Sequence, residues 1–179
     1  MHCTVDEAKG ICLFPYGKQE YPTEDMDEVY PGIYIGNSAS AANLAELKAK
    51  NVKYVLNSAF GTDSSLKMVH VLSEKDYTQS GISFLGVPAV DHMSYSISEH
   101  FNEALVFIKG AVTTERSILV HCVEGISRSA TLVLAYLVKE VGMNLQEAIR
   151  SVRQRREILP NDGFLLQLCI LNESRNKKL

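Results

Sequence analysis

A chain of 179 residues with 46% apolar and 22% charged residues fits one compact domain, large enough to close a core without disulfides or a structural metal. A net charge of −3 excludes a strongly basic nucleic-acid binder. The longest apolar runs, such as Ala130 to Val138, fall far short of the roughly 20 residues of a membrane span. Cys3, Cys12, Cys122 and Cys169 show neither Cys-x-x-Cys spacing nor the density of a secreted scaffold, so no zinc site is expected. With no signal, myristoyl or prenyl pattern, the expectation is a soluble protein of the cytoplasm or nucleus, with no membrane and no nucleic-acid partner.

Charge is uneven along the chain. Residues 1–28 hold two Lys against seven acids, whereas residues 150–179 hold seven bases against three acids. The first segment lacks sustained apolar periodicity and ends in the acidic run Glu24-Asp25-Met26-Asp27-Glu28. Residues 1–26 are therefore expected to form an N-terminal arm, partly irregular, ahead of a domain over 27–179. Strands are expected at Ile33-Tyr34-Ile35, Tyr54-Val55-Leu56, Ile82 to Val87 and Ile118-Leu119-Val120, the last fully buried. Ser40 to Lys50 reads as a helix, and residues 60–81 as loop with at most a short strand. Ser96 with Glu99 has capping-box spacing ahead of the helical stripe Phe101, Ala104, Leu105, Ile108 and Val112. Residues 129–141 suit a buried central helix ending at Gly142. Asn144 with Glu147, and then Pro160-Asn161, open two more helices. The result is an α/β sheet covered on both faces, with some antiparallel pairing, finished by a C-terminal helical cluster.

Chemistry concentrates in Ser117 to Thr131, where a buried strand runs through a glycine-containing loop into a helix. At a helix N-terminus the unpaired N–H groups and the dipole favour an anion, and a curved loop can wrap a phosphate. The backbone N–H groups of Val123, Glu124, Gly125, Ile126, Ser127 and Arg128 are the expected cradle. A cysteine opening such a loop has its thiolate favoured, since a helix terminus or an Arg can lower a thiol from about 8.5 to about 3.5–7.5. Cys122 is thus the expected nucleophile. Arg128, six positions on, can grip two phosphate oxygens with its planar fork. Ser129 can donate to the sulfur and ease its later departure. Gly125 allows loop dihedrals or a close backbone approach. His121, adjacent to Cys122 and pointing to the other side of the strand end, is expected to order the loop rather than act as a base.

His121-Cys122-Val-Glu-Gly-Ile-Ser-Arg128-Ser129-Ala-Thr resembles the signature of the cysteine-dependent protein tyrosine phosphatases, specifically the dual-specificity branch. The similarity extends through Tyr34-Ile35-Gly36-Asn37, Val55-Leu56-Asn57, Ala89-Val90-Asp91 and Asn161-Asp162-Gly163-Phe164, to roughly residues 27–174, and is to the small atypical members of the VHR type. It implies a single-domain α/β fold with a twisted mixed, mostly parallel four- to five-stranded sheet flanked by helices. It also implies a cysteinyl-phosphate intermediate and no metal or other cofactor. That chemistry needs a general acid. Asp91, in the loop after a strand and 31 residues before Cys122, is the candidate, and the absence of Trp excludes the Trp-Pro-Asp loop of the large tyrosine-specific relatives.

Asn161 is read first as a helix N-cap and second as a partner holding the catalytic loop. Arg156 reads either as a solvated helix-end cation or, matching a basic position of the VHR-type proteins, as the group that meets a second substrate phosphate. Glu124 either faces solvent or accepts a loop hydrogen bond. The expected partner is a phosphorylated protein carrying phosphotyrosine and phosphoserine or phosphothreonine, with a doubly phosphorylated kinase activation loop as the family-level example. The sequence sets no oligomeric state. Two alternatives remain: a phosphate-binding pseudophosphatase, and a phosphatase of phosphoinositide or RNA 5′-phosphate. The first would lack nucleophile or acid. The second would favour cations at Val123, Glu124 and Ile126, where there are none.

Overall fold

The computed structural model describes residues 2–62 and 72–176. Five strands form one sheet in the order β1-β2-β5-β3-β4, with β1 (Met26–Tyr30), β2 (Ile33–Gly36), β3 (Val52–Asn57), β4 (Ser83–Gly86) and β5 (Ser117–His121). β1 and β2 pair antiparallel, and the other three pairings are parallel. β5 sits at the centre because Ile118, Leu119 and Val120 are fully buried, with Leu119 facing one side of the sheet and its two neighbours the other.

The two faces carry unequal cores. On the larger, β2, β3 and β5 pack under α5 (Phe101–Thr113), α6 (Arg128–Tyr136, continued by a π turn at Leu137–Val141), α7 (Leu145–Arg153) and α8 (Asp162–Asn176). On the smaller, α2 (Ser38–Ala42), α3 (Leu44–Ala49) and α4 (Glu74–Gln79) cover Val52, Val55 and Leu119 through Leu47 and Tyr77. Each fully buried Ile, Leu or Val contributes about 1.5–3 kcal/mol of transfer free energy. α6 is buried along its whole length, so the loop before it is anchored on both sides, by β5 and by α6.

Several expectations hold in detail. Asn144 and Glu147 form a reciprocal capping box, Leu145, Ala148, Ile149 and Val152 turn inward, and Gly142 ends the preceding helix in the left-handed conformation. Others are corrected. Residues Val5–Leu13 form a helix, α1, with a Thr4–Glu7 capping box, and Cys3, Ala8 and Cys12 are buried against the α7–α8 side of the core. With Val5 and Ile11 only partly buried beside them, these side chains make too small a stripe to register as sustained periodicity, so this part of the expected arm is a regular helix packed on the core. The acidic run holds β1, whose Met26 and Val29 point inward. Ser40 to Lys50 is broken by Asn43, which ends α2 and caps α3. Ser96 makes no side-chain cap; a 3₁₀ turn, Ile97–His100, leads into α5 instead. Within the expected loop, residues 63–71 lie outside the described residues, while Glu74–Gln79 is helical under a Ser73–Asp76 capping box. Among the described residues, no helix is long and apolar enough to cross a membrane.

Candidate active site

The C-terminal end of β5 delivers Cys122 to the mouth of the parallel sheet, at the base of a cavity of about 550 Å³. The chain then curls through residues 123–127 into α6. Every carbonyl of that curl is taken from outside. Cys122 O accepts from His121 Nδ1 at 3.0 Å, Val123 O from Ser38 N at 3.0 Å, and Ile126 O from Leu159 N at 3.0 Å. Ser127 O accepts from Thr131 N and Thr131 Oγ1. Glu124 O and Gly125 O accept from Arg156 Nη2 at 3.1 Å and Nε at 2.9 Å. With the oxygens turned out, the N–H groups turn in, and the loop becomes an anion cradle. Gly125 N already donates to Cys122 Sγ at 3.2 Å.

Gly125 is required here. Its φ is +67°, and a Cβ would strike the Gly36 carbonyl and stand 2.7 Å from Arg156 Nη2. Ser129 Oγ lies 3.3 Å from Cys122 Sγ, on the first turn of α6, as expected for a group that supports sulfur. Arg128 is buried, lines the same cavity, and is steadied by donating from Nη1 to Ala89 O at 3.2 Å. His121 is fully buried, and burial pushes its imidazole down to about 4, so it is neutral at pH 7. Because Nδ1 must donate to a carbonyl, the proton sits there, and Nε2 has no hydrogen-bond partner among the described residues.

Asp91 lies across the cavity from the cradle and is exposed. Its Oδ1 accepts from Ser127 Oγ and from Asn161 Nδ2, both at 2.9 Å. Asn161 also caps α8 through Oδ1 to Phe164 N, and its own N–H donates to Ser127 Oγ at 3.1 Å. Gly163 lets the N-terminal turn of α8 touch the acid loop, since a Cβ there would stand 2.8 Å from Met93 Cα and closer still to its carbonyl. Asp91, Cys122 and Arg128 thus line one cavity, as the spacing of the sequence requires.

Residues 33–174 match the family described as the dual specificity phosphatase catalytic domain. The chain belongs to this family. The chain is 42% identical over 147 residues to dual specificity protein phosphatase 26 of human and of cattle. That match spans 82% of this chain but just under two thirds, 66%, of those relatives' length. Among solved structures, the dual specificity fold is shared with human DUSP28 at a TM-score of 0.73 and 24% identity, over 88% of this chain and 99% of that one. A human tyrosine phosphatase-like serine/threonine/tyrosine-interacting protein aligns at TM-score 0.71 and 27% identity, over 86% and 97% of the two chains. A mouse putative dual specificity phosphatase complexed with zinc tungstate aligns at 0.74 and 25%, over 91% and 96%.

Within this dual specificity domain, Arg156 takes neither place read for it, the solvated helix end or the substrate-facing rim. It is 1% exposed, and its guanidinium is engaged by Glu124 O, Gly125 O, Glu24 O at 3.0 Å and the Asp27 carboxylate at 2.8 Å. It braces the cradle from behind. The Glu124 side chain is exposed while its carbonyl is held. Two residues that sequence reasoning missed, Lys9 and Gln19, form part of the cavity wall, and Lys9 pairs with Asp162 at 2.8 Å. Both precede the segment that matches the family, in the stretch read as an arm.

Proposed function

We propose that the protein is a cysteine-dependent protein phosphatase that hydrolyses phosphotyrosine and phosphoserine or phosphothreonine through a cysteinyl-phosphate intermediate. The observation that carries this reading is Cys122 Sγ at the base of a cradle whose carbonyls are all directed outward, with Asp91 and Arg128 on the walls of the same cavity. In the first step the sulfur forms a bond to phosphorus as the bond to the substrate oxygen breaks, and Asp91 gives its proton to that oxygen. In the second step water attacks phosphorus, its proton passes to Asp91, and the S–P bond breaks with Ser129 donating to sulfur. The cradle N–H groups and Arg128 stabilise the charge on the three equatorial oxygens in both steps.

The pseudophosphatase alternative loses its basis because nucleophile and acid are both present and share the cavity. A polyanionic lipid or RNA substrate is disfavoured because the cradle side chains Val123, Glu124 and Ile126 add no cation. A relative solved with tungstate, a tetrahedral oxyanion, is consistent with a cradle of this shape holding phosphate. For a doubly phosphorylated activation loop, the second phosphate would meet Lys9 rather than Arg156, with Asp162 displaced from it.

The test compares wild type with Cys122→Ser on phosphotyrosine and phosphothreonine peptides and on a soluble phosphoinositide. Wild type turns over both peptides, a phosphocysteine is trapped at Cys122 by acid quench, and Cys122→Ser is inert. Residual turnover by Cys122→Ser at the wild-type rate overturns the mechanism, and preference for the lipid overturns the substrate class.

A further inference from the structure

The cradle is expected to hold phosphate through its backbone N–H groups, so the Ser127 side chain is not needed for that grip. It points instead at the acid. Ser127 Oγ donates to Asp91 Oδ1 at 2.9 Å, accepts from Asn161 N at 3.1 Å, and Asn161 Nδ2 donates to the same Asp91 Oδ1 at 2.9 Å. A closed triangle therefore links cradle, acid loop and the start of α8. Both donors fall on one carboxyl oxygen. When Asp91 is protonated, Oδ1 stays the acceptor, and the proton is left on Oδ2.

We propose that Ser127 and Asn161 are positioning residues that fix Asp91 with its proton on Oδ2, and that this clamp is what extends the activity from phosphotyrosine to phosphoserine and phosphothreonine. The inference rests on the phosphatase reading above and specifies its substrate range. A phenolate leaving group, from an acid of pKa about 10, departs with modest help. An alkoxide is far more basic, so its departure depends on a proton delivered at the right place and moment. Loosening the acid therefore penalises alkyl phosphates more than aryl phosphates.

The decisive measurement is the ratio of kcat/KM for matched phosphothreonine and phosphotyrosine peptides, together with the slope of log kcat/KM against leaving-group pKa for a series of aryl and alkyl phosphates. Ser127→Ala is expected to lower the ratio about tenfold, the upper end of what one ordinary hydrogen bond contributes, and to steepen the slope. Ser127→Thr, which keeps the hydroxyl, restores both. Asn161→Ser keeps an oxygen able to cap α8 but removes the Nδ2 donor, and it lowers the ratio in the same direction if Ser127→Ala fails to fold. Equal losses on both peptides, or an unaltered slope, overturn the clamp while leaving the phosphatase reading intact. A wild type with no peptide turnover overturns the reading itself and the clamp with it.

Discussion

The cradle and the acid loop face each other across one cavity, yet they are held by different means. Residues 122–127 are fixed through their backbone: each carbonyl has a donor behind it, two of those donors belong to the buried Arg156, and covalent continuity ties the loop to the central strand and the most buried helix. The acid loop is hung on that frame mainly by side chains. Ala89 O accepts from Arg128 Nη1 and Thr62 Oγ1, Pro88 O accepts from Tyr95 Oη, and Asp91 itself is held by Ser127 and Asn161. A rigid anion site with a separately docked proton donor suits a two-step reaction. In the mechanism proposed above, the phosphoryl group stays in one place while the same carboxyl works first as acid and then as base.

Breaking the acid side should change rate and leave the fold. Asp91→Asn removes the proton but keeps an oxygen for Ser127 and Asn161, so turnover of a phosphothreonine peptide should fall by about 10²–10⁴-fold with an unshifted melting temperature. A comparable fall in melting temperature would mean that the acid loop is part of the frame. Breaking the cradle side should change both. Arg156→Met strands the Asp27 carboxylate and the carbonyls of Glu24, Glu124 and Gly125, and removing one partner of a buried pair costs on the order of 3 kcal/mol. Urea unfolding should report that loss, accompanied by a raised Ki for tungstate or vanadate. Retained oxyanion affinity would show that the cradle keeps its shape without the brace.

This division explains what could be read from the sequence. The cradle was legible because an anion loop of the proposed kind demands particular residues at fixed spacing within one short stretch, and Cys122, Gly125, Arg128 and Ser129 come together around one loop. Strand β5 and helices α5 to α8 were legible because their apolar faces are long and regular. The bracing was not. Arg156 is about 30 residues from the carbonyls it holds and sits in an Arg-rich run that looks like a solvated helix end, so nothing local distinguishes a buried guanidinium from an exposed one. The side-chain role of Ser127 was hidden for the same reason, since Asp91 lies 36 residues away. Helix α1 escaped because Ala8 and Cys12, with Cys3 just ahead of it, bury little area each, and Lys9 reached the cavity wall only through that docking.

The gentlest way to separate the two regions is acid, because His121 supports the cradle and has no contact with Asp91. In the fold its imidazole is pushed down to about 4, first by burial, with the Arg128 charge adding to the effect and the bond to Cys122 O opposing it. In the unfolded chain the ring titrates at about 6.5. The unfolded state therefore binds a proton across the interval between those values while the folded state does not. Stability from this group is fully present above pH 6.5 and is lost progressively as pH falls toward 4. At pH 5.5 the loss is on the order of 1.5 kcal/mol, rising to about 3 kcal/mol near pH 4. Urea midpoints measured from pH 7.5 to 4.5 should fall along that curve, and the His121 ring resonances should hold neutral shifts through pH 5.5. A ring that titrates near 6.5 in the folded protein would mean that water reaches β5 from beneath, and the frame attributed to the cradle would be looser than its hydrogen bonds imply.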